Sequence, residues 1–177
     1  MSSETYAAAI NNNGAVVGQY YSSTTGRHAY MWTQSGGIQD LGNLGAADAG
    51  AGGVNDAGQI VGSAKLASVD IYHAFLWTAA GGIHSLPSLK GNEDGNASAI
   101  NASGEIVGFG VDAKFHQRAL VWSTSTGLHD LNQLAVNSPL ILLMAAYVNS
   151  SGQIVGVGRA KSNAALAHAF LATPTGK

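Results

Sequence analysis

In the stretch YHAFLWT, residues 72–78, His73, Phe75 and Trp77 fall on one face of an extended chain, and Ala74 and Leu76 fall on the other. Apolar side chains on both sides predict a strand covered on both faces. The same alternation returns in RHAYMWT (27–33), QRALVWS (117–123) and AHAFLAT (167–173). Ahead of each block stands a second pattern, a polar turn followed by an apolar pair and a glycine: NNNGAVVG (11–18), NDAGQIVG (55–62), NASGEIVG (101–108) and NSSGQIVG (149–156). Behind the first three stands a third: GGIQDLGNL (36–44), GGIHSLPSL (81–89) and TGLHDLNQL (126–134).

Aligned on Asn11, Asn55, Asn101 and Asn149, the units repeat at steps of 44, 46 and 48 residues. Periods of this size mark repeat architectures. Each unit reads as four short strands. The first runs into the Asn, and Asn-x-x-Gly forms a β-turn in which Asn bonds backbone ahead of it and Gly suits the fourth position of type I. The second strand is the xIVG stretch, the third the His-Ala-Phe block, and the fourth follows a glycine turn. Small sheets with two apolar faces must lie between neighbours. Four such units of 40–50 residues predict an all-β fold, a β-propeller-like ring of four four-stranded repeats.

The chain, residues 1–177, is thus one repeat domain, with units at about 5–48, 49–94, 95–142 and 143–177. The last unit is incomplete: it lacks the fourth strand, and Ala172 stands where Trp32, Trp77 and Trp122 stand in the others. Three expectations follow: a three-stranded last unit, a fragment of a longer array, or a ring completed by a second chain, a homodimer of eight units. Residues 139–148, PLILLMAAYV, read as an unusually long apolar connection into the fourth unit, suited to packing or to a contact between chains.

The residues AINASGEIVG, HAFLWT and GGIQDLGNLG resemble the bacterial repeats named for their His-Ala-Phe triplet, the HAF family. The resemblance covers nearly the whole chain. Unit three departs from it, with Gln117, Arg118 and Leu120 in the triplet block, and unit four lacks the Trp. The resemblance implies an extracellular or cell-surface β-rich repeat protein. It implies no catalytic residues.

Composition narrows the function classes. Charged residues are 10% of the chain and the net charge is −2, without a basic stretch, so a nucleic-acid partner lacks electrostatic support. The longest apolar run is too short to cross a bilayer, so no membrane insertion is expected. MSSETYAAAI lacks the basic and apolar regions of a signal peptide. Cys is absent, so neither disulfides nor thiolate metal sites form. No nucleophile elbow, zinc-protease or phosphate-loop motif is present. No cofactor, bound metal or catalytic residue is predicted.

His28, His73 and His168 recur at the head of the third strand, with Arg118 in the third unit. A ring of imidazoles could hold a metal or an anion, but a role needed in every unit is a framework role, each His anchoring its own unit through a buried hydrogen bond. His28 with Asp40, and Arg118 with Asp130, are the candidate links. The three Trp are expected in the core. Asn92, Asp94 and Asn96 have the spacing of a calcium loop without its later Gly and Glu, and read as a polar linker.

A single ligand acts where the repeat is broken. Lys114, His116 and Arg118 in unit three, and Asp70 and Tyr72 in unit two, are the candidate binding residues. The expected function is a non-catalytic binding module that recognises a glycan or surface protein through loops at one pole. An enzyme with one pocket in the irregular loops of units three and four, and a repeat that self-assembles, are the alternatives.

Overall fold

A computed structural model of the chain describes residues 4–67, 71–91, 94–135, 137–163 and 165–175. It is all-β, built from four antiparallel meanders in chain order. The first holds β1 (Thr5–Ile10), β2 (Val16–Ser22), β3 (Gly26–Thr33) and β4 (Gly37–Asp40). The second holds β5 (Gly45–Val54), β6 (Ile60–Leu66), β7 (Tyr72–Thr78) and β8 (Gly82–Ser85). The third holds β9 (Gly95–Ile100), β10 (Ile106–Val111), β11 (Gln117–Ser123) and β12 (Gly127–Asp130). The fourth has three strands, β13 (Leu140–Val148), β14 (Ile154–Ala160) and β15 (Ala167–Ala172). A single parallel bridge, Arg27 to Asp48, joins the first meander to the second. Among the described residues no sheet closes on itself, and no helix is long and apolar enough to cross a membrane.

Two unit boundaries shift from the sequence reading. The second sheet begins at Gly45 and the fourth at Leu140. The apolar run 140–148 is therefore the first strand of the fourth sheet, not a connection: it pairs along its length with β14. The true link is a one-turn helix, α1 (Leu131–Leu134), whose N-terminus is capped by Asp130 through the Asn132 N–H at 2.8 Å. Asn132 then grips the new strand, accepting from Leu142 N at 2.7 Å and donating to Leu142 O at 2.8 Å.

The repeated Asn and Gly each solve a local problem. The Asn carbonyl accepts from the Gly N–H three residues on at 3.0–3.1 Å in every unit. Gly14, Gly58, Gly104 and Gly152 then take φ between +75° and +82°, a region that a side chain disfavours. The turn is one of type I extended by a left-handed glycine, rather than one with Gly merely at its fourth position. The second glycine acts differently. The first strand of each sheet carries an extra, bulged residue: Ala8, Gly52, Ser98 and Ala146. The bulge drives a main-chain oxygen against the second strand. A Cβ on Gly18, Gly62, Gly108 or Gly156 would lie 1.9–2.0 Å from the oxygen of Tyr6, Gly50, Asn96 or Met144. No larger residue fits there.

Cross-strand partners share a face, so each sheet presents two apolar rows. One row runs through the first residue of the second strand: Ile10–Val16–Trp32–Ile38, Val54–Ile60–Trp77–Ile83, Ile100–Ile106–Trp122–Leu128 and Val148–Ile154–Ala172. The opposite row centres on the next residue: Val17, Val61, Val107 and Val155. The hydrophobic core is three separate joints. Val17 and Met31 pack with Val54, Ile60 and Trp77. Val61 and Leu76 pack with Ile100, Ile106 and Trp122. Val107 and Val121 pack with Val148, Ile154 and Ala172. Each joint thus sets the second row of one sheet on the first row of the next. Burial of these rows is the main favourable term for the fold.

Candidate functional site

Three features gather the polar chemistry. The first is the joint between sheets one and two at the start of their third strands. Arg27 Nε donates to Asp48 Oδ1 at 2.5 Å and its Nη1 to Gln19 Oε1 at 3.1 Å. The Tyr72 hydroxyl donates to the other Asp48 oxygen, and the guanidinium lies 5.4 Å from the centre of the Tyr72 ring. Partial burial opposes ionisation of Asp48, yet the Tyr72 hydroxyl and the Arg27 charge outweigh it and hold the carboxyl below its usual range. The hydrogen bond to Asp48 pushes the Tyr72 phenol up. Tyr72, a candidate binding residue, is thus committed to a joint. Asp70 lies outside the described residues.

The second feature is the β10–β11 loop, where Lys114, His116 and Arg118 come together around Asp112. One Asp112 oxygen accepts the Lys114 and His116 backbone N–H groups at 2.8 and 2.9 Å. The other accepts Arg118 Nε and Nη2 at 3.1 and 2.9 Å, with His116 Nδ1 at 3.4 Å. The His116 N–H first, then the Arg118 guanidinium and the Lys114 N–H, hold the Asp112 carboxyl far below the usual carboxylate range. Arg118 therefore pairs with Asp112 and not with Asp130, which is turned to its helix cap. The side chains of Lys114 and His116 remain exposed.

At the tip of this loop stands Phe115, a residue that the sequence reading passed over. It is 82% exposed and its φ is +62°. A bulky residue in that region is strained and is held only by surrounding bonds. Here its own N–H donates to Asp112 O at 2.9 Å, so Asp112 ties the loop through backbone and side chain together. A lone aromatic amid DAKFHQR was the available signal.

The third feature is a cavity of about 380 Å³ lined by the first strands of all four sheets, β1, β5, β9 and β13, including the bulged Ala8, Gly52, Ser98 and Ala146. Its walls are mostly small residues and main chain; Met144 and Tyr147 are the large side chains. No Asp, Glu, His, Lys or Arg among the described residues lines it. Tyr147 supplies the one phenol among its described lining residues, and the cavity is built on first strands rather than on the irregular loops of units three and four.

Two of the repeated histidines bond within their own sheet. His28 Nδ1 meets Asp40 Oδ2 at 2.8 Å and its Nε2 meets Thr25 Oγ1 at 2.8 Å, with the ring stacked on Tyr20 at 4.9 Å. Although partial burial opposes it, the Gly42 N–H, the Tyr20 hydroxyl and His28 hold Asp40 below its usual range. His73 is buried, and its Nδ1 meets Ser85 Oγ at 2.9 Å, the same twelve-residue link with Ser for Asp. His168 is exposed. Among the described residues no group of three or more His, Asp or Glu side chains could hold a metal ion. Asn92 and Glu93 lie outside the described residues; Asp94 accepts from Tyr72 N at 3.4 Å, and Asn96 donates to Ser63 Oγ at 3.1 Å.

The Trp residues divide. Trp77 and Trp122 are 6% and 5% exposed, and Trp122 Nε1 donates to Pro87 O at 2.7 Å, whereas Trp32 is 39% exposed. No family model matches the chain, and no curated protein matches it.

Proposed function

We propose that the chain is a HAF-type repeat protein, secreted or on the cell surface, whose four sheets fan about one axis in the manner of a β-propeller, and that it is a non-catalytic binding module for glycans. Support for the shared axis comes from the cavity: the first strand of every sheet contributes to it, each through its bulge. Sheets so arranged carry their second-to-third-strand loops at one pole, where rigid scaffolds commonly present binding residues.

Phe115 carries the binding reading. An exposed aromatic face, fixed in a costly backbone conformation and flanked by the exposed Lys114 and His116, suits the apolar face of a sugar ring with polar groups at its edge. Asp112 and Arg118 neutralise each other and set the loop's shape. Among the described residues no carboxylate lines the cavity.

The test is a glycan array probed with the chain and with Phe115→Ala. Retention of one glycan class by the parent, lost in a variant with an unchanged circular dichroism spectrum, is the expected result. A blank array for the parent, or equal retention by both proteins, overturns the reading.

A further inference from the structure

The core consists of one joint made three times, and the two halves of a fourth joint lie open. At the outer face of the first sheet, the row Ile10–Val16–Trp32–Ile38 has no sheet against it among the described residues: Ile10, Trp32 and Ile38 are exposed, while their counterparts Ile100 and Trp122 are buried. At the outer face of the fourth sheet the opposite row is open. Val155 is 42% exposed, where Val17, Val61 and Val107 are each 0%. Its cross-strand partners Tyr147 and Leu171, and Val157 beside it, are exposed as well.

A hydrogen-bond chain has the same two loose ends. Asn11 Nδ2 donates to Asn55 O at 3.0 Å, Asn55 Nδ2 to Asn101 O at 3.0 Å, and Asn101 Nδ2 to Asn149 O at 2.9 Å. Asn55 and Asn101 each spend the other amide hydrogen on the side chain four residues on, Gln59 or Glu105. Asn149 makes that local bond, to Gln153 at 2.8 Å, but among the described residues its second hydrogen meets no carbonyl. Among those residues the Asn11 carbonyl accepts only the Gly14 N–H of its own turn. The series therefore ends in a donor at the fourth sheet and an acceptor at the first.

We infer that a second copy of this chain occupies both faces, with the fourth sheet of each copy packed on the first sheet of the other and Asn149 of one donating to the Asn11 carbonyl of its partner. The joint is the one already made within the chain, continued across a molecular boundary. It is head-to-tail, so it must either close or propagate. Two copies related by a two-fold axis make it twice and leave no face open. Eight sheets lie within the range of known propellers. Closure within one chain would bury both rows, and both are exposed. The inference rests on the repeated joint and not on glycan binding. A protein that ignores glycans but pairs in this way keeps it.

Sedimentation equilibrium on the chain and on two single variants tests it. Ile10→Lys places a charge on the first sheet's face, and Val155→Glu places one on the fourth. Both sites are exposed in the single chain, so circular dichroism is expected to stay unchanged. Ile38→Lys and Leu171→Glu serve if either variant misfolds. The parent is expected at twice the 17.9 kDa chain mass, and each variant alone is expected to associate about tenfold more weakly or worse, since it buries an unpaired charge. Mixed in equal amounts, the variants regain the double mass, because one joint is then native and the other sets the introduced ammonium against the introduced carboxylate. A parent that stays at single-chain mass or grows beyond two chains overturns the inference. So does disruption by only one of the two variants, the mark of a like-to-like contact, or a mixture that stays at single-chain mass.

Discussion

The side-chain amide of Asn55 donates to the main-chain oxygen of Asn101, 46 residues on and 3.0 Å away, while its Oδ1 accepts the Gln59 N–H at 3.0 Å in its own turn. One buried residue thus closes a hairpin and fastens it to the neighbouring sheet. The two roles separate by mutation. Asn101→Asp keeps the acceptor for the turn and loses the donor to Asn149. Asn101→Ala loses both and strands the Ser103 and Glu105 N–H groups. Unfolding in urea is expected to show a loss of about 3 kcal/mol for Asn101→Ala, from several hydrogen bonds at about 1 kcal/mol each. Asn149→Ala, exposed and without the inter-sheet bond in the single chain, is expected to cost about 1 kcal/mol when measured in the Val155→Glu background. Equal losses at the two positions would refute the fastening role.

The two repeated glycines predict opposite tolerances. Alanine at Gly58 meets no atom within 4 Å and bears only the left-handed backbone, φ +75°, at about 1–2 kcal/mol. Alanine at Gly62 places its Cβ 2.0 Å from Gly50 O and 2.9 Å from the Phe75 ring. The bulge cannot relax without breaking the pairing of β5 with β6, so a loss of at least about 3 kcal/mol is expected. Urea midpoints of the two alanine variants check the order; Gly58→Ala proving the more damaging would contradict this account of the bulge.

The tryptophans separate by whether a neighbouring sheet covers them. Trp77 lies in the joint between sheets one and two, and Trp77→Ala is expected to cost about 3–5 kcal/mol. In the Val155→Glu background Trp32→Ala is expected to cost about 1–2 kcal/mol, because the same ring in the first sheet is covered only by its own strands. Thermal melts of both variants give the comparison, and a Trp32 cost matching that of Trp77 would contradict it.

The repeat, the strand order and the hairpin turns were legible in the sequence because each is written four times and depends on neighbours within a few residues. What needed a partner sheet was not. Asn11, Asn55 and Asn101 read as turn residues, since the acceptor of each amide lies 44–48 residues away. Trp32 sits in the same repeated block as Trp77, and its position in the series leaves it uncovered. The glycine after each Val-Val or Ile-Val pair is simply the last residue of the xIVG stretch in the sequence, and only the bulges show what sits above it. Leu140–Val148 read as linker because β13 lacks the period-two pattern of a half-buried strand; two register shifts break its alternation. Arg118 was matched to Asp130 by analogy with His28 and Asp40, but the helix cap claims Asp130 and a nearer carboxylate, Asp112, takes the guanidinium.

Asp112 sets an expectation for acid. Its carboxyl titrates lower in the folded chain than the value near 3.9 of an unfolded one. A depressed folded value contributes stability that is present above the unfolded value and disappears as pH falls through the folded one. The stability difference between the parent and Asp112→Asn should therefore be present above the unfolded carboxyl value and shrink steadily below about pH 4. Denaturant titrations of both proteins across this range give the profile. A difference that instead grows toward low pH would mean that the Arg118 and backbone bonds do not favour the ionised form.

Phe115 joins backbone strain to exposure, and under the glycan-binding proposal replacing it should move stability and binding in opposite directions. Glycine accepts φ +62° freely, so Phe115→Gly relieves about 1–2 kcal/mol of strain while raising the entropy of the unfolded chain by about 0.5–1 kcal/mol. The net expectation is a chain as stable as the parent or more stable by up to about 1.5 kcal/mol, with glycan retention abolished. Phe115→Tyr keeps both the aromatic face and the strain, and should keep the retention. If the loop served only to connect β10 to β11, selection for stability alone would favour glycine at its tip, as at Gly14, Gly58, Gly104 and Gly152. A clear stability loss in Phe115→Gly would show that the ring is packed rather than presented, and would remove the ground for reading it as a contact residue.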